Sequence, residues 1–140
     1  MENIHKNYEH RTSNVKHPMT NEKKYDLEER LLEYAANIIK LVEQLPNTKA
    51  GNHVAGQLLK SGTSPYPNHG EAQAAESTRD FIHKLRICLK ELRESYRWLK
   101  LIQRVPLLKN NKLLEYLIDE TDELIRIFVS SIRTSEKKKR

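Results

Sequence analysis

The chain has one cysteine, Cys88, so no internal disulfide can form. That usage suits a reducing compartment. Only four glycines and five prolines interrupt 140 residues, which leaves long stretches free of helix breakers. Aromatic residues are scarce and β-branched runs are short, which argues against a sheet protein. No apolar run approaches the ~20 residues of a membrane span. Residues Met1 to Thr20 carry no apolar signal core. The expected location is the cytoplasm, with no membrane partner. Signature motifs of catalysis are missing as well. There is no H-E-x-x-H, no C-x-x-C and no glycine-rich phosphate loop; Ser61-Gly62-Thr63-Ser64 lacks the lysine and spacing of one. His5, His10 and His17 stand at no metal-binding spacing, and His53, His69 and His83 fall on different segments.

What is present is helical periodicity. Residues 1–24 are polar and aperiodic, and are expected to form a flexible, disordered arm. From Tyr25 to Leu45, Leu27, Leu31, Tyr34, Ile38, Leu41 or Val42, and Leu45 recur at steps of three and four, the mark of one apolar helix stripe. Leu45-Pro46 ends it. A second helix is expected from Asn52, acting as N-cap after a break at Gly51, to Ser64, with Val54, Ala55, Leu58 and Leu59 on its apolar face. Pro65 and Pro67 must then kink or interrupt it, and Glu71–Glu76 can resume it. The third helix runs from Ser77 to Gln103, capped by Ser77 or Thr78, with a seam of Phe81, Leu85, Cys88, Leu92, Ser95, Leu99 and Ile102. The fourth runs from Asn110 to Arg133, with Leu113, Leu117, Ile118, Leu124, Ile125, Phe128 and Ile132 facing one way. Short connections make neighbouring helices antiparallel. The expected architecture is all-α: an up-down-up-down four-helix bundle over residues 25–133, followed by a frayed basic tail, 134–140.

The third helix carries more than a core seam. Arg86, Lys90, Arg93, Arg97, Lys100 and Arg104 step by four and three, and Arg79 precedes them. At about 100° per residue they lie opposite the seam, with no acid on their line. A phosphate backbone fits such a ladder, and lysine plus arginine (25) exceed aspartate plus glutamate (19), giving a net charge of +6. The plain alternative is a solvated helix face with ordinary pairs such as Lys90 with Glu94. A further line, Ile87, Trp98 and Leu101, lies about 100° off the seam and suits a subunit interface. Its plain alternative is that Trp98 tucks over the edge of its own core.

Two carboxylate pairs, Glu91-x-x-Glu94 and Asp119-x-x-Asp122, could hold Mg²⁺ if their helices were adjacent, as in all-helical nucleotide pyrophosphatases. Glu120-x-x-Glu123 offers a competing register, and Arg126 follows at helical spacing. Cys88, between Leu85 and Leu92, reads as a packed core residue. Neither a catalytic residue nor a metal nor a cofactor is expected.

The stretches Gln57-Leu58-Leu59-Lys60-Ser61-Gly62-Thr63-Ser64 and Asn68-x-x-Glu71-Ala72 resemble the four-helix bundle protein family, also called the 23S ribosomal RNA intervening-sequence protein family. So do Asp80-Phe81-Ile82-His83-Lys84-Leu85 and Lys90-Glu91-x-x-Glu94-Ser95-x-x-Trp98-Leu99. The resemblance spans about Tyr25 to Ile132. It implies an up-down bundle assembled as a homopentameric ring, with no known catalytic residue. Some members are encoded within inserts of ribosomal RNA genes. The family is also similar to the accessory protein of diversity-generating retroelements, a basic pentamer that binds a reverse transcriptase and nucleic acid. The present chain departs from the family pattern at Pro65-Tyr66-Pro67. Asn68, Glu71, Glu91, Glu94 and Trp98 match it; the first four are expected to form a structural polar network across helices two and three, with Lys60 as a further donor. The leading expectation is a non-catalytic homo-oligomeric scaffold that binds RNA or DNA through the basic ladder. The alternatives are a protein-interaction module with an acidic or reverse-transcriptase-like partner, and a Mg²⁺-dependent nucleotide hydrolase.

Overall fold

A computed structural model describes residues 20–139. The expectation of an arm falls mostly on residues 1–19, outside the described residues. Among the described residues there are five helices: α1 Thr20–Val42, α2 Lys49–Thr63, α3 Pro65–Gln73, α4 Thr78–Arg104 and α5 Lys112–Lys139. The described residues contain no strand. α2 and α3 together make one rod, so the architecture is the expected antiparallel four-helix bundle. α1 and α4 sit on the diagonal: each packs against the α2–α3 rod and against α5. No helix among the described residues is long and apolar enough to cross a membrane.

Several local expectations change. α2 starts at Lys49, not Asn52, because Thr48 is the N-cap: its Oγ1 accepts from the Gly51 amide at 3.0 Å. Asn52 instead donates from Nδ2 to Asn47 Oδ1. Gly51 is not a break but part of the first turn. A Cβ there would lie 2.0 Å from the Pro46 carbonyl oxygen, so only glycine fits. Leu59, expected on the apolar face, is exposed, and Ser61 is buried in its stead.

As expected, the helix is interrupted at the prolines, at the single residue Ser64 between α2 and α3. Ser64 keeps helical angles (φ −68°, ψ −38°), and Pro65 opens α3, where a missing N–H costs no helix bond. α3 therefore begins at Pro65 rather than resuming at Glu71. The Ser77 cap holds, accepting from the Asp80 amide at 3.0 Å. On α4, Ile82 is buried and Phe81 only half-buried; the rest of the predicted seam is buried. α5 is capped by Asn111, whose Oδ1 accepts from the Leu114 amide at 2.9 Å. It continues through Lys139, so residues 134–139 are helical rather than frayed.

The core holds Leu31, Tyr34, Ile38, Leu58, Leu92, Leu99, Leu117 and Phe128 among its most buried side chains. Polar groups run through its middle. Tyr34 Oη and Thr121 Oγ1 are 2.7 Å apart, and Thr121 donates to the Leu117 carbonyl at 2.5 Å. With that proton committed, Tyr34 is the donor of the pair. Ser95 donates to Ser61 at 2.8 Å, and Ser61 points to the Leu58 carbonyl. Glu120, 1% exposed, takes a two-pronged bond from Arg30 at 2.6 and 3.0 Å. Such a buried carboxylate is tolerable only because it is paired. Asn37 is fully buried, and its amide finds no hydrogen-bond partner among the described residues.

Gly62 lets α1 and α2 approach closely: a Cβ would lie 2.8–2.9 Å from three side-chain atoms of buried Ile38. Gly56 faces open space. Gly62→Ala should therefore lower the urea midpoint by an amount equivalent to about 1–3 kcal/mol. Gly56→Ala should raise it by about 0.5–1 kcal/mol. Alkaline titration gives a second test. Burial pushes the Cys88 thiol up to about 12 and the Tyr34 phenol well above its ordinary value, the latter partly offset by hydrogen bonds with Thr121 and Ser95. Above the ordinary thiol value of 9.0 the unfolded chain thus binds fewer protons than the native one. Stability must then fall as pH rises. Denaturation midpoints should decline from about pH 9 upward, and Cys88→Ala should flatten the first part of that decline.

Candidate nucleic-acid interface

α4 is held in one rotational setting by contacts on either side. Toward α2, Ser95 bonds Ser61; toward α3, Cys88 Sγ lies 3.5 Å from the Pro65 carbonyl oxygen. Ile82, Leu85, Leu92, Leu99 and Ile102 fill the interior. The opposite face is left to water. Arg86, Lys90, Arg93, Arg97, Lys100 and Arg104 are all exposed, as is Arg79. Arg86 pairs with Glu136 of α5, and Lys100 Nζ reaches Gln103. Lys90, Arg93, Arg97 and Arg104 make no ion pair among the described residues. The Lys90–Glu94 pair of the plain alternative does not form among the described residues. At 1.5 Å per residue the line from Arg86 to Arg104 is about 27 Å long.

The expected polar network is only partly assembled. Glu71 of α3 and Lys84 of α4 join at 2.7 Å, and the bond holds the lysine above its ordinary pKa. Glu91 is half-buried. Burial and the neighbouring Glu94 raise its pKa, against the opposing pull of Lys90 and Lys60. Lys60 acts on Glu91 only through its charge and makes no hydrogen bond or ion pair with it. Glu94 turns within its own helix and accepts from Trp98 Nε1 at 3.1 Å. Asn68 does not join: it donates to Ser64 Oγ at 2.9 Å and to the Ser64 carbonyl at 3.0 Å, patching the rod where the prolines interrupt it.

Trp98 is half-buried, packed on the core and edge-on to His53 of α2, with ring centroids 5.9 Å apart. Ile87 is also half-buried. Leu101 is 42% exposed and Val105, which sequence reading passed over, 57%. On α1, Leu32 (43%) and Ile39 (46%) form a second exposed apolar line.

The carboxylates of the hydrolase reading are not gathered. Among the described residues no three His, Cys, Asp or Glu side chains meet where one metal ion could be held. Glu91 and Glu94 face the α2 side, near Lys60 and Trp98. Asp119 is exposed, Asp122 pairs with Arg126 at 2.9 Å, and Glu120 and Glu123 are both bound by Arg30. The i, i+3 spacing reflects two unrelated ion-pair systems on α5.

A cleft between the start of α4 and the end of α5 was not anticipated. It is lined by Arg79, Arg86, Arg133, Glu136 and Lys137 over a floor that includes Ile82. The extra length of α5 creates it, and the basic composition past Arg133 was its only signal in the sequence.

The solved structure of a protein with unknown function from the S23 ribosomal protein family of Bacteroides thetaiotaomicron is similar to this one. The two share 34% sequence identity and a TM-score of 0.70, over 76% of this chain and 97% of that one. No curated protein sequence matches the chain. The model of the 23S rRNA-intervening sequence protein family matches residues 23–130. The chain belongs to that family.

Proposed function

We propose that the protein is a non-catalytic, homo-oligomeric scaffold of the cytoplasm that binds nucleic acid along the exposed face of α4. The observation that carries this reading is the ladder Arg86, Lys90, Arg93, Arg97, Lys100 and Arg104. It is solvent-facing throughout, and five of its six members lack any ion pair among the described residues. A solvated face in a chain with many carboxylates ordinarily mixes signs or pairs its charges. This one carries no acid on its line and pairs only Arg86, with Glu136 of α5, and it presents arginine forks where a phosphate backbone could run. Backbone contact of this kind reads charge rather than base, so the binding has little sequence preference.

The apolar lines supply the assembly. Leu101 lies on α4 and Val105 caps its C-terminal end, while Leu32 and Ile39 lie on the diagonal helix α1. Two unlike patches at opposite corners suit a head-to-tail contact, which closes into a ring. The ring of five implied by the family resemblance is the assembly proposed. Trp98 supports it from behind, since its ring is already committed to its own core and Glu94.

Size-exclusion chromatography with light scattering, with and without a short single-stranded RNA, tests both halves. The wild type should run as an oligomer that shifts with RNA, and Arg93→Glu/Arg97→Glu should run as the same oligomer without the shift. Affinity should fall steeply with salt, with a log–log slope near about −4 for six phosphate contacts on a single strand. A monomer would overturn the scaffold. Absence of binding at about 50 mM salt would overturn the nucleic-acid reading; capture of one acidic protein, resistant to nuclease, would put the protein-interaction alternative in its place.

A further inference from the structure

The ladder does not end at Arg86. There α5 rises beside α4, and the two helices enclose a cleft of ≈ 870 Å³ lined by Arg79, Arg86, Arg133 and Lys137, with Ile82 on its floor. One acid, Glu136, stands among these cations, and it is the group that pairs with Arg86. That pair is exposed on both sides (58% and 45%), so it contributes little to stability. Its position matters more than its strength. Arg86 is both the first rung of the ladder and a wall of the cleft, and Glu136 occupies its guanidinium.

We infer that a single nucleic-acid strand passes from the α4 ladder into the α4–α5 cleft, and that Glu136 is a built-in competitor which the strand's phosphate must displace from Arg86. This inference rests on the nucleic-acid reading of the ladder and adds to it a path and a gate. The charge argues for the occupant. With Arg86 answered by Glu136, Arg79, Arg133 and Lys137 remain as cations around one concavity, with no second acid among its lining residues. A phosphodiester entering there takes over the fork that Glu136 held, and the released carboxylate returns to water at little cost. The exchange makes the cleft self-limiting. At low phosphate density Arg86 stays paired with Glu136, whereas a polyanion carrying several linked phosphates displaces the acid because its neighbouring phosphates are already bound along the ladder. The α5 side of the cleft, Arg133 to Lys137, lies beyond the family-matched segment 23–130.

The test is fluorescence anisotropy with a labelled single-stranded RNA of about 20 nucleotides, long enough to cover ladder and cleft. It uses the full chain over a range of salt. Glu136→Gln should tighten binding on the order of threefold to tenfold at low salt, since it frees Arg86 while leaving the fold intact. Glu43→Gln removes an equal charge from an exposed site on the last turn after α1 and should change affinity much less. Arg133→Ala/Lys137→Ala should weaken binding and reduce the salt slope by about 1 to 1.5, the signature of two lost phosphate contacts on a single strand. Equal tightening by Glu136→Gln and Glu43→Gln would overturn the gate, as a mere net-charge effect. An unchanged affinity and slope in Arg133→Ala/Lys137→Ala, with Arg97→Glu still abolishing binding, would overturn the path through the cleft and leave the ladder standing. A wild type that binds no RNA would overturn both.

Discussion

A helix cannot expose one face without burying another, and the rotational setting of α4 decides what the molecule presents to water. Rotating it by one residue, about 100°, would draw arginines toward the interior and push Leu92 and Leu99 outward. The cost of stranding even one of those cations is several kcal/mol. The setting is therefore fixed by burial in the first place, and refined by two small contacts. Ser95 meets Ser61 across α2, and the Cys88 thiol meets the Pro65 carbonyl across α3. Both need short side chains, and bulkier ones would hold the helices apart. The basic face is thus a by-product of how tightly the other face is seated.

The polar centre of the bundle extends this logic to the other helices. Tyr34 with Thr121 ties α1 to α5, and Ser95 with Ser61 ties α4 to α2. Arg30 with Glu120 adds a charged tie between α1 and α5. Apolar seams alone tolerate sliding by a turn, because leucines resemble one another. Hydroxyl pairs do not, since a shifted register leaves a buried donor unanswered. Asn37 breaks this pattern, with its whole amide buried and unanswered among the described residues.

The apolar skeleton was legible because it obeys a single period. Leu31, Ile38, Leu85, Leu92, Leu99, Leu117 and Phe128 could be placed from spacing, and Ser95 took its core position from the same count. The polar partners were not legible, because pairing is a property of two helices. Glu120 shares the face of Leu113, Leu117 and Leu124, a sign of burial that its charge concealed. Thr48 was missed as a cap because Gly51 looked like a break, and only the nearness of the Pro46 carbonyl shows why glycine is there. For the site, the ladder was visible as a helical line. The cleft was not, because it depends on α5 continuing past the residues where its apolar stripe stops. Asn68 and Glu94 show the reverse error: residues that match a family pattern but serve their own helix.

The interrupted α2–α3 rod has a consequence for the order in which the chain can acquire structure. α1 meets α2 across a short loop, and α4 meets α5 across another, so each half closes as a local hairpin with little loop entropy. During synthesis the first hairpin emerges with the apolar surface that faces α4 and α5 uncovered, because those helices do not yet exist. α3 is the element caught between the halves. It packs more heavily on α4 than on α1 or α2, and the gap in hydrogen bonding at Ser64 lets it fold on a different schedule from α2. A continuous rod would have had to commit all of its length at once. The pause at Pro65 divides that commitment in two, so the later hairpin can dock against a segment that is still free to adjust.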